Sequence, residues 1–500
     1  MRKVCPVALF LTLFFLSSCN DPFEETIRKV ARDGEITLTE WNEIEKSVLD
    51  SRKSRELLNS DGSLNNEKTK DYVENFVGKN MRINGLLVFP NIGVEKEILM
   101  EEDTVTFKFF LERSGSMTPY DDVRTDGGFK KAISMLLNSI PGNGTQRHLM
   151  YVVNDAVYTY NRTYKDFLQS ANIFTETQSI GDPRYTDFTC IFDSILNRTG
   201  ENEASILVSD LIYSTKNMAG VNPQRILNEA QTLTTSVFKG HSDRDVLVIK
   251  LLSDYVGNYY PYNSPNIGKK YNGKRPFYLM IVANPDVMKK IFFDEKYKDF
   301  RNFKHLNGFE NYYCFVRKND KPLYSVIFSD GHVQGRFAAA KGSTQTIHSI
   351  EDLEPDRHNN VTTLVVAVDM NEIITEKDYL TDANNYEIQS ASGFELKEII
   401  ELNTSELDPS VSRYVPTATH LLVLSTEEKL SNETLILRLK NKFPVWIEKS
   451  SSDDDTNFEN DSFAGTTFAF KYLMQGIYDS FYSSASVPDY YQINIDIKKK

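Results

Sequence analysis

Residues 104–117 read Thr-Val-Thr-Phe-Lys-Phe-Phe-Leu-Glu-Arg-Ser-Gly-Ser-Met. The β-branched and aromatic residues from Thr104 to Leu111 predict a buried strand that ends near Glu112. Glu112, Ser114 and Ser116 then fall on one short loop. A carboxylate beside two hydroxyls makes a pocket of hard oxygen donors, the kind that Mg²⁺ prefers. Taken alone, such residues are also what ordinary turns use.

Two further stretches follow in order. Tyr185-Thr186-Asp187-Phe188-Thr189 opens an apolar-periodic run through Ile191, Ile195 and Leu196, which predicts a loop entering a helix. Ala204-Ser205-Ile206-Leu207-Val208-Ser209-Asp210 predicts an apolar strand ending in Ser-Asp. Together the three stretches resemble the metal-ion-dependent adhesion site of von Willebrand factor A-type domains, whose first motif is Asp-x-Ser-x-Ser. Glu112 stands where that family has Asp. The family's second element is a threonine, for which Thr186 fits best and Thr189 second. Its third element is the Asp at a strand end, here Asp210. The resemblance implies a metal set of Glu112, Ser114, Ser116, Thr186 and Asp210 holding Mg²⁺ or Mn²⁺. It also implies a protein or surface ligand whose carboxylate completes the coordination. Glu reaches one methylene further than Asp. It would either bind the ion directly or displace it and leave a metal-free fold.

The intervening pattern points to an α/β fold. Helices are expected over 128–140, 188–197, 223–238 and 286–293, and strands over 149–153, 156–160, 205–209, 246–252 and 277–282. Such alternation predicts βαβ units and a mostly parallel sheet, with ligands outside the carboxyl ends of the strands. The resemblance makes residues 81–300 a von Willebrand factor A-like, Rossmann-like domain.

The chain starts with Met1-Arg2-Lys3, an apolar stretch from Val4 to Leu16, and Leu16-Ser17-Ser18-Cys19. The stretch is too short to span a bilayer. It resembles the signal peptide (residues 1–18) and lipobox of bacterial lipoproteins, in which the cysteine, here Cys19, is lipidated. Acyl chains contribute about 0.8 kcal/mol per buried CH₂, so several on one cysteine anchor stably. The resemblance implies a membrane tether in the cell envelope, at the outer membrane of a Gram-negative bacterium. Residues 19–80 are expected to be helical. Asp33-Gly34-Glu35-Ile36 with Glu40, and Asp61-Gly62-Ser63-Leu64, look like half of a calcium loop. Lys29 and Ala31 stand where the other ligands are needed, so a turn between helices is the reading.

The net charge is −13, which disfavours nucleic acid, because phosphate binding needs a basic face. With Cys5 in the signal and Cys19 lipidated, only Cys190 and Cys314 remain. They are expected as single thiols, with a disulfide between them left open. At 500 residues the chain exceeds one core.

Residues 301–500 are expected to be β-rich, with strands at 323–328, 362–368, 420–424, 435–439 and 493–497 forming one or two sandwiches. The acidic run 450–457 reads as a solvated loop. Phe470, Leu473, Met474, Ile477, Tyr478 and Phe481 make a helical stripe (466–482) suited to core packing. Residues 254–274, with Tyr259, Tyr260 and Tyr262, form a long aromatic-polar segment between two expected strands. Exposed, it is a recognition surface; packed down, it buries its own rings. The seven His are scattered, and no phosphate-cradling glycine loop or Gly-x-Ser-x-Gly elbow occurs. The expected function is therefore binding rather than catalysis: a lipid-anchored envelope protein that engages a partner through a metal. A metal-free scaffold and a hydrolase with an unrecognised site are the alternatives.

Overall fold

The computed structural model describes residues 21–49, 51, 53–59, 64–83, 87–89, 104–141, 149–160, 164–170, 172–184, 186–214, 218, 220–241, 243–317, 321–342, 345–482 and 488–500. The chain divides into two compact units, Met1–Glu102 and Asp103–Lys500. Cys19 lies outside the described residues.

In the first unit the helices Pro22–Val30, Leu38–Leu49, Ser54–Leu57 and Asn66–Asn80 close on Phe23, Ile27, Trp41, Ile44, Val73 and Val77. Glu40, the residue a calcium loop would need, is used otherwise. Its carboxylate accepts the Thr37 N–H at 2.9 Å and the Thr37 hydroxyl at 2.8 Å, and its own N–H donates to Thr37 Oγ1. That reciprocal pair is a helix capping box. The second Asp-Gly turn, at 61–62, lies outside the described residues.

The second unit is built on a seven-stranded sheet. Its strands are β1 (Thr106–Glu112), β2 (Leu149–Val153), β3 (Val157–Tyr160), β4 (Glu203–Ser209), β5 (Asp245–Tyr259), β6 (Lys269–Ala283) and β7 (Phe309–Phe315). They lie in the order β3-β2-β1-β4-β6-β5-β7. Period-2 alternation along β1 sends Phe107, Phe109 and Leu111 to one face and Phe110 to the other, and both faces are covered. The helices Gly128–Asn138 and Pro285–Phe293 cover the first face; Phe188–Arg198, Pro223–Lys239 and Phe470–Phe481 cover the second.

The sheet is mixed, with less parallel pairing than the alternation of elements implied. β1 pairs in parallel with β2 and with β4, whereas β2–β3, β4–β6, β5–β6 and β5–β7 are antiparallel. The reason is the link between β5 and β6. A parallel pair needs a long crossover, usually a helix, but residues 260–268 only turn the chain back, so the two strands form a long hairpin. The aromatic segment at 254–274 is thus mostly strand, and Tyr255 and Tyr259 are buried.

The boundary expected at residue 300 also moves. β7 lies beyond it and closes the edge of the same sheet, pairing with β5 from Val246↔Phe315 to Leu251↔Phe309. The chain then builds one sandwich. A five-stranded sheet (Arg336–Ala339, Ser349–Glu354, Tyr386–Gln389, Glu433–Lys440, Asp489–Lys499) faces a four-stranded one (Tyr324–Ile327, Thr362–Val368, Glu395–Glu401, His420–Thr426). Leu364, Val366, Leu422 and Leu424 of the second meet Leu435, Leu437, Ile493 and Ile495 of the first.

Between two strands of that sandwich, residues 441–482 return to the α/β body. The helix Phe470–Phe481 buries Phe470, Leu473, Met474 and Ile477 against that body. Arg317 fastens it. Its guanidinium donates to Ser480 O at 2.9 Å and Phe238 O at 2.8 Å and stacks 3.5 Å from the Phe481 ring centroid. Cys190 and Cys314 are free thiols. Among the described residues no helix is long and apolar enough to cross a membrane.

Candidate functional site

Strand register assembles the site. Glu112 is the last residue of β1 and pairs with Val153, the last of β2. The preceding pair, Leu111↔Val208, sets Glu112 beside Ser209 at the end of β4. The three parallel strands therefore finish at one edge, as expected for a ligand site in such a sheet. Asp210 follows β4 directly. There the chain turns through Leu211, whose φ of 49° is a left-handed conformation that a branched side chain rarely adopts. Two side chains hold the turn: Ser209 Oγ accepts the Leu211 N–H at 2.8 Å and Asp210 Oδ1 accepts the Ile212 N–H at 3.1 Å. Thr186 arrives from the opposite direction, just ahead of the helix Phe188–Arg198, whose N-terminus Asp187 caps by accepting the Cys190 N–H.

All five expected residues meet here. Thr186 Oγ1 donates to Glu112 Oε1 at 2.7 Å. The Ser209 hydroxyl donates to Glu112 Oε2. The Ser114 and Ser116 hydroxyls lie 3.0 Å apart, and Ser114 Oγ also accepts the Met117 N–H. The Ser116 hydroxyl acts to lower the pKa of Asp210, and the Asp210 charge raises that of Glu112. Thr189, the second choice, is half-buried on the helix.

The electrostatics are unusual. Glu112 and Asp210 are each 1% exposed. Burial, and after it the Asp210 charge, push the Glu112 carboxyl above its ordinary range, against hydrogen bonds from Ser209, Thr186 and Ser114. Burial pushes Asp210 up too, against Ser116, the Ile212 N–H and the Arg275 charge. Asp210 Oδ2 is buried without a hydrogen-bond partner. Two carboxyl groups in one dry pocket resist ionising together, and a divalent cation removes that conflict. The donors fit a hard cation: two carboxylates and three hydroxyls, all oxygen. The carboxylate count is low. Among the described residues no group of three or more His, Cys, Asp or Glu is placed to hold a metal.

The site opens into a cleft of about 330 Å³ lined by Arg113, Ser114, Gly115, Ser116, Thr186 and Tyr260, among others. Two larger clefts, of about 680 and 750 Å³, are lined by none of the five residues. Gly115 permits the wall formed by the β5–β6 hairpin tip. A Cβ there would stand 3.2 Å from Tyr260 Cε2, tighter than an ordinary contact.

Several residues of the site carried no recognisable sequence signal. Asp455, in the acidic run expected to be solvated, is 1% exposed. It accepts the Tyr259 hydroxyl at 2.7 Å and the Tyr262 N–H at 3.0 Å, and so pins the hairpin tip. Asp455 alone turns inward, because both aromatic partners offer it donors, while Asp453, Asp454 and Asn457 stay exposed. Arg275 is equally buried. It donates to Phe463 O and lies 4.0 Å from the Phe463 ring and 4.8 Å from the Tyr259 ring, placing a positive charge within electrostatic range of Asp210. Asn154, just past β2, donates to Ile180 O at 2.9 Å and at 3.4 Å to Arg113 O. It ties the motif loop to the segment that delivers Thr186.

Compared with known protein families, with characterised proteins and with experimentally determined structures, this chain finds no match.

Proposed function

We propose that the seven-stranded α/β body is a von Willebrand factor A-type domain that binds a divalent cation and, through it, a carboxylate of a partner protein. The carrying observation is the convergence of Glu112, Ser114, Ser116, Thr186 and Asp210 around a buried carboxylate oxygen with no partner. Ser114, Ser116 and Asp210 would hold Mg²⁺ or Mn²⁺, with Thr186 and Glu112 completing the oxygen shell. When bound, the cation supplies Lewis acidity that captures an anionic oxygen. The protein's own part is to hold the hydroxyls in place, keep the two carboxyl groups dry, and leave the cleft open for the partner. This is a binding role, not catalysis. In the same reading Cys19 carries the lipid that tethers the protein to the bacterial envelope, in the outer membrane.

The test is Mn²⁺ titration of the purified protein, by calorimetry and by water-proton relaxation. The reading expects weak, saturable binding at about millimolar ion, since a hard dication dehydrates reluctantly where ligands are few. Asp210→Ala should abolish it while the circular dichroism spectrum persists, because Asp210 ends a strand rather than filling the core. No binding to the wild type would transfer the function to metal-free docking, which the doubly engaged Glu112 carboxylate favours. Pull-down with and without EDTA then separates the two readings at the level of the partner.

A further inference from the structure

Four cationic side chains are buried among the described residues: Lys108, Arg113, Lys250 and Arg275. Three have partners for their charged groups. Lys108 Nζ donates to Arg198 O at 2.6 Å and pairs with Glu203 at 3.1 Å. Lys250 Nζ donates to Gly465 O at 2.9 Å and pairs with Glu310 at 3.3 Å. Arg275 also leaves its Nε without a partner, but its guanidinium donates to Phe463 O and lies against two rings.

Arg113 differs. It is 8% exposed, and its Nε is buried without a hydrogen-bond partner. Its backbone is held, by Val153 O and Asn154 Nδ2, but its guanidinium makes no hydrogen bond, ion pair or ring contact with any described residue. A guanidinium stays charged in proteins, and a buried charge without a counter-charge is strongly unfavourable. Arg184, across the same cleft, is already paired with Asp182 at 2.6 Å. No described residue supplies the counter-charge, and Arg113 lines the cleft that opens to solvent.

We infer that Arg113 is a second anion anchor, and that the cleft receives an acidic segment of a partner protein presenting two neighbouring carboxylates. One carboxylate meets the cation beside Ser114 and Ser116. The other takes a charge-assisted bond from Arg113, whose planar fork suits a carboxylate. The inference rests on the metal reading for the first contact only; the Arg113 contact needs no metal.

The experiment measures binding of two blocked peptides, N-acetyl-Asp-Asp-amide and N-acetyl-Asp-Ala-amide, to the wild type, Arg113→Gln and Arg113→Lys, each with saturating Mn²⁺ and with EDTA. The wild type should prefer the two-acid peptide by about tenfold or more, as a bond to a charged partner implies. Arg113→Gln should lose that preference and keep or raise its Mn²⁺ affinity, because a cation next to the ion has been removed. Arg113→Lys should recover part of the preference. A wild type that treats both peptides alike, or an Arg113→Gln protein that still discriminates, overturns the inference. If Mn²⁺ fails to bind, the metal reading falls. The EDTA arm then decides alone: weaker binding of both peptides to Arg113→Gln than to the wild type upholds the anchor, and equal binding by the two proteins ends it.

Discussion

Thr186 donates its hydroxyl hydrogen to Glu112 Oε1 over 2.7 Å and so joins the end of β1 to the start of a helix 74 residues later. With Ser209 on the other oxygen, the Glu112 carboxylate is held on both sides. The extra methylene of Glu is therefore spent on reaching these two hydroxyls.

Shortening that side chain separates its two duties. Glu112→Asp draws the carboxylate back from Thr186 and Ser209 and should cost about 1–3 kcal/mol of stability without metal. The same change restores the length used by the resembled family, so Mn²⁺ affinity should be kept or improved. Urea unfolding in EDTA reads the first effect and calorimetry the second. Loss of Mn²⁺ binding in a folded Glu112→Asp protein would show that this site is built around Glu.

The pH dependence has a definite sign. Glu112 ionises near 4.5 when unfolded and is pushed up to about 8 by burial and by Asp210. Between those values the folded state holds a proton that the unfolded state has released. The Glu112 contribution to stability therefore falls as pH rises through this window. A bound divalent cation favours the carboxylate and reverses the trend, so the gain from Mg²⁺ should grow with pH. Measured in EDTA, the stability difference between wild type and Glu112→Gln should widen in favour of Gln as pH climbs. A difference that stays constant with pH would place Glu112 in the ordinary carboxylate range.

Gly476 lies where the helix Phe470–Phe481 crosses Pro223–Lys239. A Cβ there would stand 2.6 Å from Gln231 O and 2.7 Å from Thr234 Cβ, and one of these is backbone. Gly476→Ala should therefore destabilise the unit by about 1–3 kcal/mol despite its better helix propensity. Denaturant midpoints will show it; an unchanged or raised midpoint means that the two helices can separate freely.

The anchor is testable directly. Cys19→Ala should release the protein from membranes or leave an unprocessed precursor, read by fractionation and intact mass. Unchanged attachment with an unchanged mature mass would remove the lipid from the account.

Much of this was legible in the sequence, and for local reasons. Glu112, Ser114, Ser116 and Asp210 each stand at the end of an apolar run, and Thr186 precedes a helical period, so their meeting follows once β1 and β4 pair in parallel. The hairpin was harder to read. The polar and glycine-containing stretch 254–274 looks like loop, yet each strand of the hairpin runs 15 residues, because Tyr255 and Tyr259 pack inward beside Arg275. Arg275 and Asp455 were invisible for a different reason. A lone Arg in a strand or one Asp in an acidic run has no pattern, and only a partner nearly 200 residues away gives either its role. The split at 300 failed because composition turns β-rich there while the sheet still lacks its last strand.

Tyr482 accepts the Val316 N–H and donates to Val316 O, bridging a separation of 166 residues. On a ribosome adding about 5–20 residues per second, roughly 8–33 s pass between the emergence of the last sheet strand and that of the helix that covers it. For that interval the nascent chain carries a finished sheet whose second flank is covered only by Phe188–Arg198 and Pro223–Lys239, while the sandwich is being made in between. Shielding of what remains exposed on this flank during synthesis is therefore a requirement separate from the stability of the folded chain.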